Sequence, residues 1–347
     1  MDSQTSAVPQ ISVLLPVHNG VPYIEEALRS VMGQTFTDIE IVVIDDGSTD
    51  DTPQVLARLA AEDPRIRVIR PDTNLRLPGA LNLGLDHVRG AYVARMDADD
   101  ICEPDRLARQ HAYLEANPEI TLIGCSVTRI RGDGTPFQVS VRGQDPFAAR
   151  WMTRFVMPFR HPTFLFRRDE MPLRYDPACT VSEDYDILAR LSADHKIACI
   201  PDVLLRYREH DGSLTGTKWK LMLAEAKRIA VPVQQADLSP RVFEALAPFR
   251  AAYYDQTPLD RGGQAALFKG LKMMIEEDAR TSPSHRAWVT RQAAQMAAQA
   301  LLRAGTGKVQ VVQAFLMAGT SFMPALAMRF LETRRALPAP LRSEPQT

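Results

Sequence analysis

Short apolar runs alternate with helix-period segments along the first part of the chain. Ile11-Ser-Val-Leu-Leu-Pro-Val17 is almost continuously apolar and stops at His18-Asn19-Gly20, so it reads as a buried strand closed by a turn. Pro22 suits the first turn of a following helix, whose apolar stripe is Ile24, Leu28 and Val31. Glu40-Ile-Val-Val-Ile-Asp45, rich in β-branched residues, is the second strand. It runs into residues 45–52, a turn crowded with helix N-cap side chains, and the helix beyond carries Val55, Leu56 and Leu59. The pattern predicts a third strand over residues 66–69, a helix over 80–88 and a fourth strand within 90–96. A further helix opens at Pro104, with Leu107 and Leu114 turned inward.

Such βαβα alternation predicts an α/β fold with an open, mixed but mostly parallel sheet flanked by helices. Sheets of this kind bind ligands outside the carboxyl ends of their strands. From about residue 120 to 215 the elements are shorter and less regular. Beyond Lys218 the chain turns into Ala-, Leu-, Met- and Gln-rich helical sequence, strongest over 292–303, with a break at 305–307 and a frayed tail after Leu337. Residues 1–215 therefore form one domain, and 216–347 a helical C-terminal extension.

Composition narrows the classes. Of 347 residues, 45% are hydrophobic and 24% charged, which suits a folded globular protein, and the formal net charge of -1 lacks the basic surplus of a nucleic-acid binder. Cys102, Cys125, Cys179 and Cys199 have neither close pairing nor zinc-type spacing, and the N-terminus lacks a signal-peptide pattern. The expected setting is cytoplasmic. The apolar stretch Val311 to Leu331 is interrupted by Gly319, Pro324 and Arg329, which makes a poor spanning helix; a core or interface helix is the favoured reading, and peripheral contact at the inner face of a membrane the alternative.

Two acidic clusters fall at strand ends that would face one crevice. Asp97-Ala-Asp99 can share a divalent cation such as Mn²⁺ or Mg²⁺, which take oxygen ligands, and a sugar hydroxyl. Alone, such a triplet reads rather as a solvated turn that caps the next helix. Asp45-Asp46 precede Gly47-Ser48, and a carboxylate there can accept from a nucleotide base or ribose, although helix capping is the competing reading. Glu183-Asp184 begin an amphipathic helix, where acids also favour the dipole. No G-x-G-x-x-G follows the first strand, which disfavours a dinucleotide enzyme, and no glycine-rich phosphate loop points to a nucleotidyltransferase. That enzyme and a non-catalytic nucleotide- or sugar-binding module are the alternatives.

Across residues 10–215 the chain resembles the inverting, DXD-type glycosyltransferases of family 2, which have the GT-A fold. The resemblance rests on Val13-Leu-Leu-Pro-Val-His-Asn-Gly20, Ser30-Val-Met-Gly-Gln-Thr-Phe36, Glu40-Ile-Val-Val-Ile-Asp-Asp-Gly-Ser-Thr-Asp50, Gly90-Ala-Tyr-Val-Ala-Arg-Met-Asp-Ala-Asp-Asp100, Pro104-Asp-Arg-Leu107, His161-Pro-Thr163, Glu183-Asp-Tyr-Asp186 and Tyr207-Arg-x-His210, in that order. It implies metal-dependent transfer of a sugar from a nucleoside-diphosphate donor to a hydroxyl, with inversion. It divides the domain into a nucleotide half (10–115) and an acceptor half (116–215). Pro16, His18, Asn19, Asp45, Asp46 and Arg76 would serve the nucleotide, Asp97 the ribose, Asp99 and His210 the metal. Asp184 would be the general base with Glu183 as alternate, and His161 would sit on the acceptor side. Family frequency ranks uridine donors first, ahead of deoxythymidine and guanosine ones. A saccharide or lipid-linked saccharide of bacterial polysaccharide or glycolipid assembly is the implied acceptor, with the helical extension shaping access to it.

Overall fold

The computed structural model describes residues 8–170, 174–210, 218–307 and 310–314, and the chain divides into two compact units at 217/218. In the first unit β1 (Ile11–Val17), β2 (Ile39–Asp45), β3 (Ile66–Ile69) and β4 (Tyr92–Arg95) pair in parallel, with α1 (Ile24–Met32), α2 (Thr52–Glu62) and α3 (Arg76–His87) between them. Then come β5 (Ile101–Cys102), α4 (Arg106–Ala116), β6 (Ile120–Arg131), β7 (Pro136–Ser140), α5 (Pro146–Thr153), a 3₁₀ turn (His161–Thr163), β8 (Leu165–Arg167), α6 (Glu183–Asp194) and β9 (Lys196–Glu209). Among the described residues one sheet runs β3-β2-β1-β4-β8-β6-β9-β5, with β7 on β6. The mixed character is as expected, but parallel pairing belongs chiefly to the first four strands: β4–β8, β6–β8, β6–β7 and β5–β9 are antiparallel, and only β6–β9 adds a parallel pair.

The period-2 geometry of a strand sorts its side chains between two core layers. Ile11, Val13, Leu15 and Val17 of β1 pack with α1, α2 and α4 on one face, while Leu14 joins Val42, Ile44, α3, α5 and α6 on the other. Covering both faces explains why β1 and β2 are apolar at almost every position. Helix α1 buries Ile24, Ala27, Leu28 and Val31, the expected stripe, and each large side chain there contributes about 1.5–3 kcal/mol.

The helix expected from residue 80 begins four residues earlier, at Arg76, because Pro78 and Gly79 fall in its first turn, where no amide donor is required. Pro22 precedes α1 instead of opening it: the Gly20 carbonyl accepts from the Tyr23 and Ile24 amides and starts the helix there. The strands lie tightly against their loops. A Cβ added at Gly90 would stand 2.6 Å from the Ser12 backbone nitrogen, which no rotamer change relieves. Gly90→Ala is expected to cost about 2 kcal/mol, read as a lowered urea midpoint at unchanged m-value; an unchanged midpoint would refute the packing argument.

The second unit is helical over Trp219–Asp237, Pro240–Ala245, Ala247–Tyr253, Arg261–Thr281 and Arg286–Arg303, and Gly305, at φ 78°, makes the expected break. No helix among the described residues is long and apolar enough to cross a membrane. Most of the Val311–Leu331 stretch and the tail after Leu337 lie outside the described residues.

Candidate active site

Because β1 lies between β2 and β4 in parallel register, the loops at their carboxyl ends are neighbours. The Asp46 amide donates to the Val17 carbonyl at 2.8 Å, and the Asn19 amide donates to Ser48 Oγ at 2.9 Å. Asn19 Oδ1 accepts from the Thr49 amide at 2.8 Å, while His18 Nδ1 lies 3.0 Å from the Asp46 carbonyl. Asp45 is buried; it accepts from the Ser48 amide at 3.0 Å and from Arg70 Nη1 at 2.7 Å. Asp46, also buried, accepts from the Leu75 amide at 2.6 Å and so fastens the loop that carries Arg76. Pro16 is buried inside β1, opposite Ile44, whereas His18, Asn19 and Arg76 are exposed. Asn19 and Arg76 have left-handed backbones, φ 53° and 61°, a strained conformation that gathers at ligand-binding loops.

Beyond β4 the chain turns at residues 97–100. One carboxylate oxygen from each of Asp97, Asp99 and Asp100 falls within 4.8 Å of the others. Asp100 is buried, with Oδ1 accepting from the Arg208 amide at 2.8 Å and Oδ2 making no hydrogen bond among the described residues. Burial pushes its carboxyl well above the ordinary range, and the charges of Asp97 and Asp99 add to this. Burial and Asp97 likewise raise Asp99, against the pull of His210, whose Nε2 lies 3.0 Å from Asp99 Oδ2. An octahedral ion with bonds of about 2.1 Å sets adjacent ligand atoms about 3 Å apart, so this pair fits two corners of one Mn²⁺ or Mg²⁺ shell. Hard carboxylate oxygens, one of them buried without a partner, suit the same ions.

Arg208, from the Tyr207-Arg-x-His210 motif, holds this turn in place. Its buried guanidinium donates to the Asp99 carbonyl at 2.7 Å, the Gly132 carbonyl at 2.9 Å and Glu26 Oε2 at 2.6 Å, and stacks 4.6 Å from the Tyr23 ring centroid. Arg106, from Pro104-Asp-Arg-Leu107, is buried as well and donates to the Arg95 carbonyl at 2.8 Å.

On the facing side α6 begins at Glu183. Glu183 is buried and Asp184 half-buried, its Oδ1 accepting from the Tyr185 amide at 2.7 Å. Burial, with the Asp184 charge beside it, pushes Glu183 up to about 8. Burial also raises Asp184, opposed by the Tyr185 amide, Arg95 and Arg160. His161 is buried, with Nε2 2.8 Å from the Tyr175 hydroxyl and Nδ1 3.8 Å from Glu183 Oε1; burial, then Arg95, keeps its ring neutral well below its ordinary pKa. The structure thus joins His161 to Glu183 and Asp99 to His210, and places His18, Asn19 and Arg76 on adjoining loops. Sequence reading missed Arg95 and Arg208 as parts of the site. A charged residue inside an apolar strand, directly before the acidic turn, was the available signal for Arg95.

Residues 12–172 match the model of the family described as glycosyl transferase family 2. An uncharacterized glycosyltransferase of Haemophilus influenzae is 32% identical over 213 residues, 58% of this chain and 66% of that protein. The amylovoran biosynthesis glycosyltransferase AmsE of Erwinia amylovora is 32% identical over 206 residues, 57% of this chain and 75% of that protein. Among solved structures, Staphylococcus aureus TarS 1–349 in complex with UDP-GlcNAc superposes with TM-score 0.58 at 18% identity, covering 85% of this chain and 89% of that one. The mannosyltransferase PcManGT of Pyrobaculum calidifontis, in complex with GDP-Man and Mn²⁺, gives TM-score 0.51 at 20% identity, covering 97% and 83%. At such identities the structural likeness speaks for the fold.

Proposed function

This chain belongs to glycosyltransferase family 2, and from that premise we propose that it transfers a sugar from a nucleoside-diphosphate donor to an acceptor hydroxyl, with inversion and with help from Mn²⁺ or Mg²⁺. The observation that carries the reading is the acidic turn at 97–100, anchored at the carboxyl end of β4 with Asp97 paired to the buried Arg95, together with the Glu183–Asp184 pair that opens α6. A donor-side and an acceptor-side set of carboxylates is what an in-line displacement needs.

Pro16, His18, Asn19, Asp45, Asp46 and Arg76 serve the nucleotide, and Asp97 the ribose. Asp99 and His210 hold the divalent ion, which when bound supplies charge neutralisation for the departing diphosphate. Asp184 takes the proton from the acceptor hydroxyl as its oxygen bonds to the anomeric carbon and the donor's carbon–oxygen bond breaks, the electron pair leaving with the diphosphate. Glu183, at about 8, is suited to hold a proton near neutrality, leaving the negative charge of the pair on Asp184. His161 supports the acceptor side through Glu183.

A uridine donor is in keeping with the UDP-GlcNAc complex of TarS, and a guanosine donor with the GDP-Man complex of PcManGT. The name of the Erwinia relative supports a saccharide or lipid-linked saccharide acceptor in bacterial polysaccharide assembly. We place the enzyme in the cytoplasm or at the inner face of the membrane, with the helical extension serving acceptor access. The test is release of nucleoside diphosphate from a panel of UDP-, dTDP- and GDP-sugars, with and without Mn²⁺ or Mg²⁺. Metal-stimulated release from one donor is expected. No release from any donor, together with no calorimetric binding of UDP, dTDP or GDP, would sink the reading.

A further inference from the structure

Tyr23 stands immediately before α1, and its ring meets two side chains from the carboxyl end of β9. The ring centroid lies 4.6 Å from the Arg208 guanidinium carbon and 5.0 Å from the His210 ring centroid, with the two rings tilted by 44°. Three residues on, one turn along the same helix face, Glu26 accepts from Arg208 Nη2 at 2.6 Å. The turn between β6 and β7 adjoins the group at Gly132, where an added Cβ would stand 3.1 Å from the Tyr23 hydroxyl and 3.5 Å from His210 Cβ. The Tyr23 backbone is fixed as well: its amide donates to the Gly20 carbonyl at 2.8 Å, in the loop that carries Asn19.

A histidine ring turns about two bonds, and the outer torsion has only a broad, roughly two-fold preference, so packing against the ring sets where its nitrogens point. His210 Nε2 points to Asp99 Oδ2, 3.0 Å away. We propose that Tyr23 is a positioning residue for the divalent ion: its ring keeps His210 Nε2 opposite Asp99 Oδ2, at the spacing of two corners of one Mn²⁺ or Mg²⁺ shell. This rests on the roles given above to Asp99 and His210. An aromatic ring suits the place, because its face attracts the guanidinium and its flat surface packs against the imidazole. An aliphatic side chain offers neither. Arg208 stays held without the ring, through the Asp99 and Gly132 carbonyls and Glu26. The influence of Tyr23 on the ion therefore runs through His210 and not through the backbone of the acidic turn.

Groups that orient a metal-bound histidine typically govern metal affinity by about 10- to 100-fold. Tyr23 acts by packing and not by a hydrogen bond to the ring, so Tyr23→Leu is expected at the lower end, roughly 10-fold weaker for Mn²⁺.

The test uses the full chain with Tyr23→Leu, Tyr23→Phe, His210→Ala and the Tyr23→Leu/His210→Ala double variant. Mn²⁺ is titrated with UDP, dTDP or GDP present (whichever the wild type binds) and followed by the paramagnetic resonance of the free ion, against a nucleotide-only control. Urea unfolding without metal reports on folding. Tyr23→Phe keeps the ring and should bind Mn²⁺ much as the wild type does. In the His210→Ala background, Tyr23→Leu should cost little more, because the group that it orients is gone. A ring with a merely structural role predicts the same loss in both backgrounds. Such additive losses would overturn the proposal, as would wild-type Mn²⁺ binding in a folded Tyr23→Leu, or a Tyr23→Phe as weak as Tyr23→Leu. Should Tyr23→Leu fail to fold, Gly132→Ala decides, since its Cβ crowds the Tyr23 hydroxyl. Weakened Mn²⁺ binding that Tyr23→Phe restores in the same chain supports the proposal; wild-type binding, or a loss that Tyr23→Phe leaves in place, overturns it. A wild type that binds no Mn²⁺ with any of the three nucleotides takes the ion away from Asp99 and His210, and this proposal with it. Failure of the transferase reading looks different: the wild type then releases no nucleoside diphosphate, while the Mn²⁺ titrations still test the hold on His210.

Discussion

Asp99→Ala is expected to lower metal-stimulated release of nucleoside diphosphate on the order of a thousandfold while the protein stays folded. Asp99 offers its carboxylate in the acidic turn, and its Oδ2 is 3.0 Å from His210 Nε2, so the substitution removes one corner of the proposed ion site and the partner of another. The backbone of the turn should survive, because Arg208 holds it through the Asp99 carbonyl, which alanine keeps. Charge stabilisation of a departing diphosphate is where a divalent ion contributes several kcal/mol, which explains the size of the loss. His210→Ala should show a smaller loss of the same kind. Titration of Mn²⁺ followed by calorimetry separates this from a folding defect: the variant should need far more metal or show no stimulation at all. Wild-type metal dependence in Asp99→Ala would remove the ion from this turn.

Asp184→Asn should reduce transfer roughly a thousandfold, within the range for removal of a positioned general base, and leave nucleotide binding unchanged. Asparagine keeps the size of the side chain and can accept from the Tyr185 amide as Asp184 Oδ1 does at 2.7 Å, so helix α6 should start as before. The pH dependence adds a second criterion. In the wild type the rate should rise with pH, because the base is active only when deprotonated. Burial raises both members of the pair, so the acidic limb is expected between the ordinary carboxylate range near 4 and the value of about 8 for Glu183. In Asp184→Asn that limb should flatten. If the limb persists unchanged and Glu183→Gln abolishes it instead, Glu183 is the base.

The parallel half of the fold was readable residue by residue. Continuous apolar runs at 11–17 and 40–45, stopped by Asn, Gly and Asp, can satisfy their backbones and bury both faces only as inner strands. The antiparallel half was not readable to the same degree. Strands β5 and β8 have two and three residues, too few for any period to show, and their places between or beside other strands are long-range pairings. The site divides in the same way. Asp97, Asp99 and Glu183-Asp184 stood out because acids cluster at element ends. Arg208 takes its meaning from what surrounds it, a carboxylate and carbonyls far away in the chain, and Arg95 from its burial beside Asp97.

The sequence by itself determined the family, the βαβα order, the parallel strands and the list of acidic groups able to carry the chemistry, because those depend on local period, turn residues and motif order. Tertiary structure alone decided which groups share an environment: that His210 meets Asp99, that His161 is buried against Glu183 and Tyr175, and that Arg208 holds the acidic turn through the Asp99 carbonyl. The physical reason is that the protonation state and orientation of a group follow from burial and from neighbours brought in by strand pairing. A carboxylate near 4 in the unfolded chain and one pushed up to about 8 at residue 183 are the same glutamate, told apart only by what the fold packs around it.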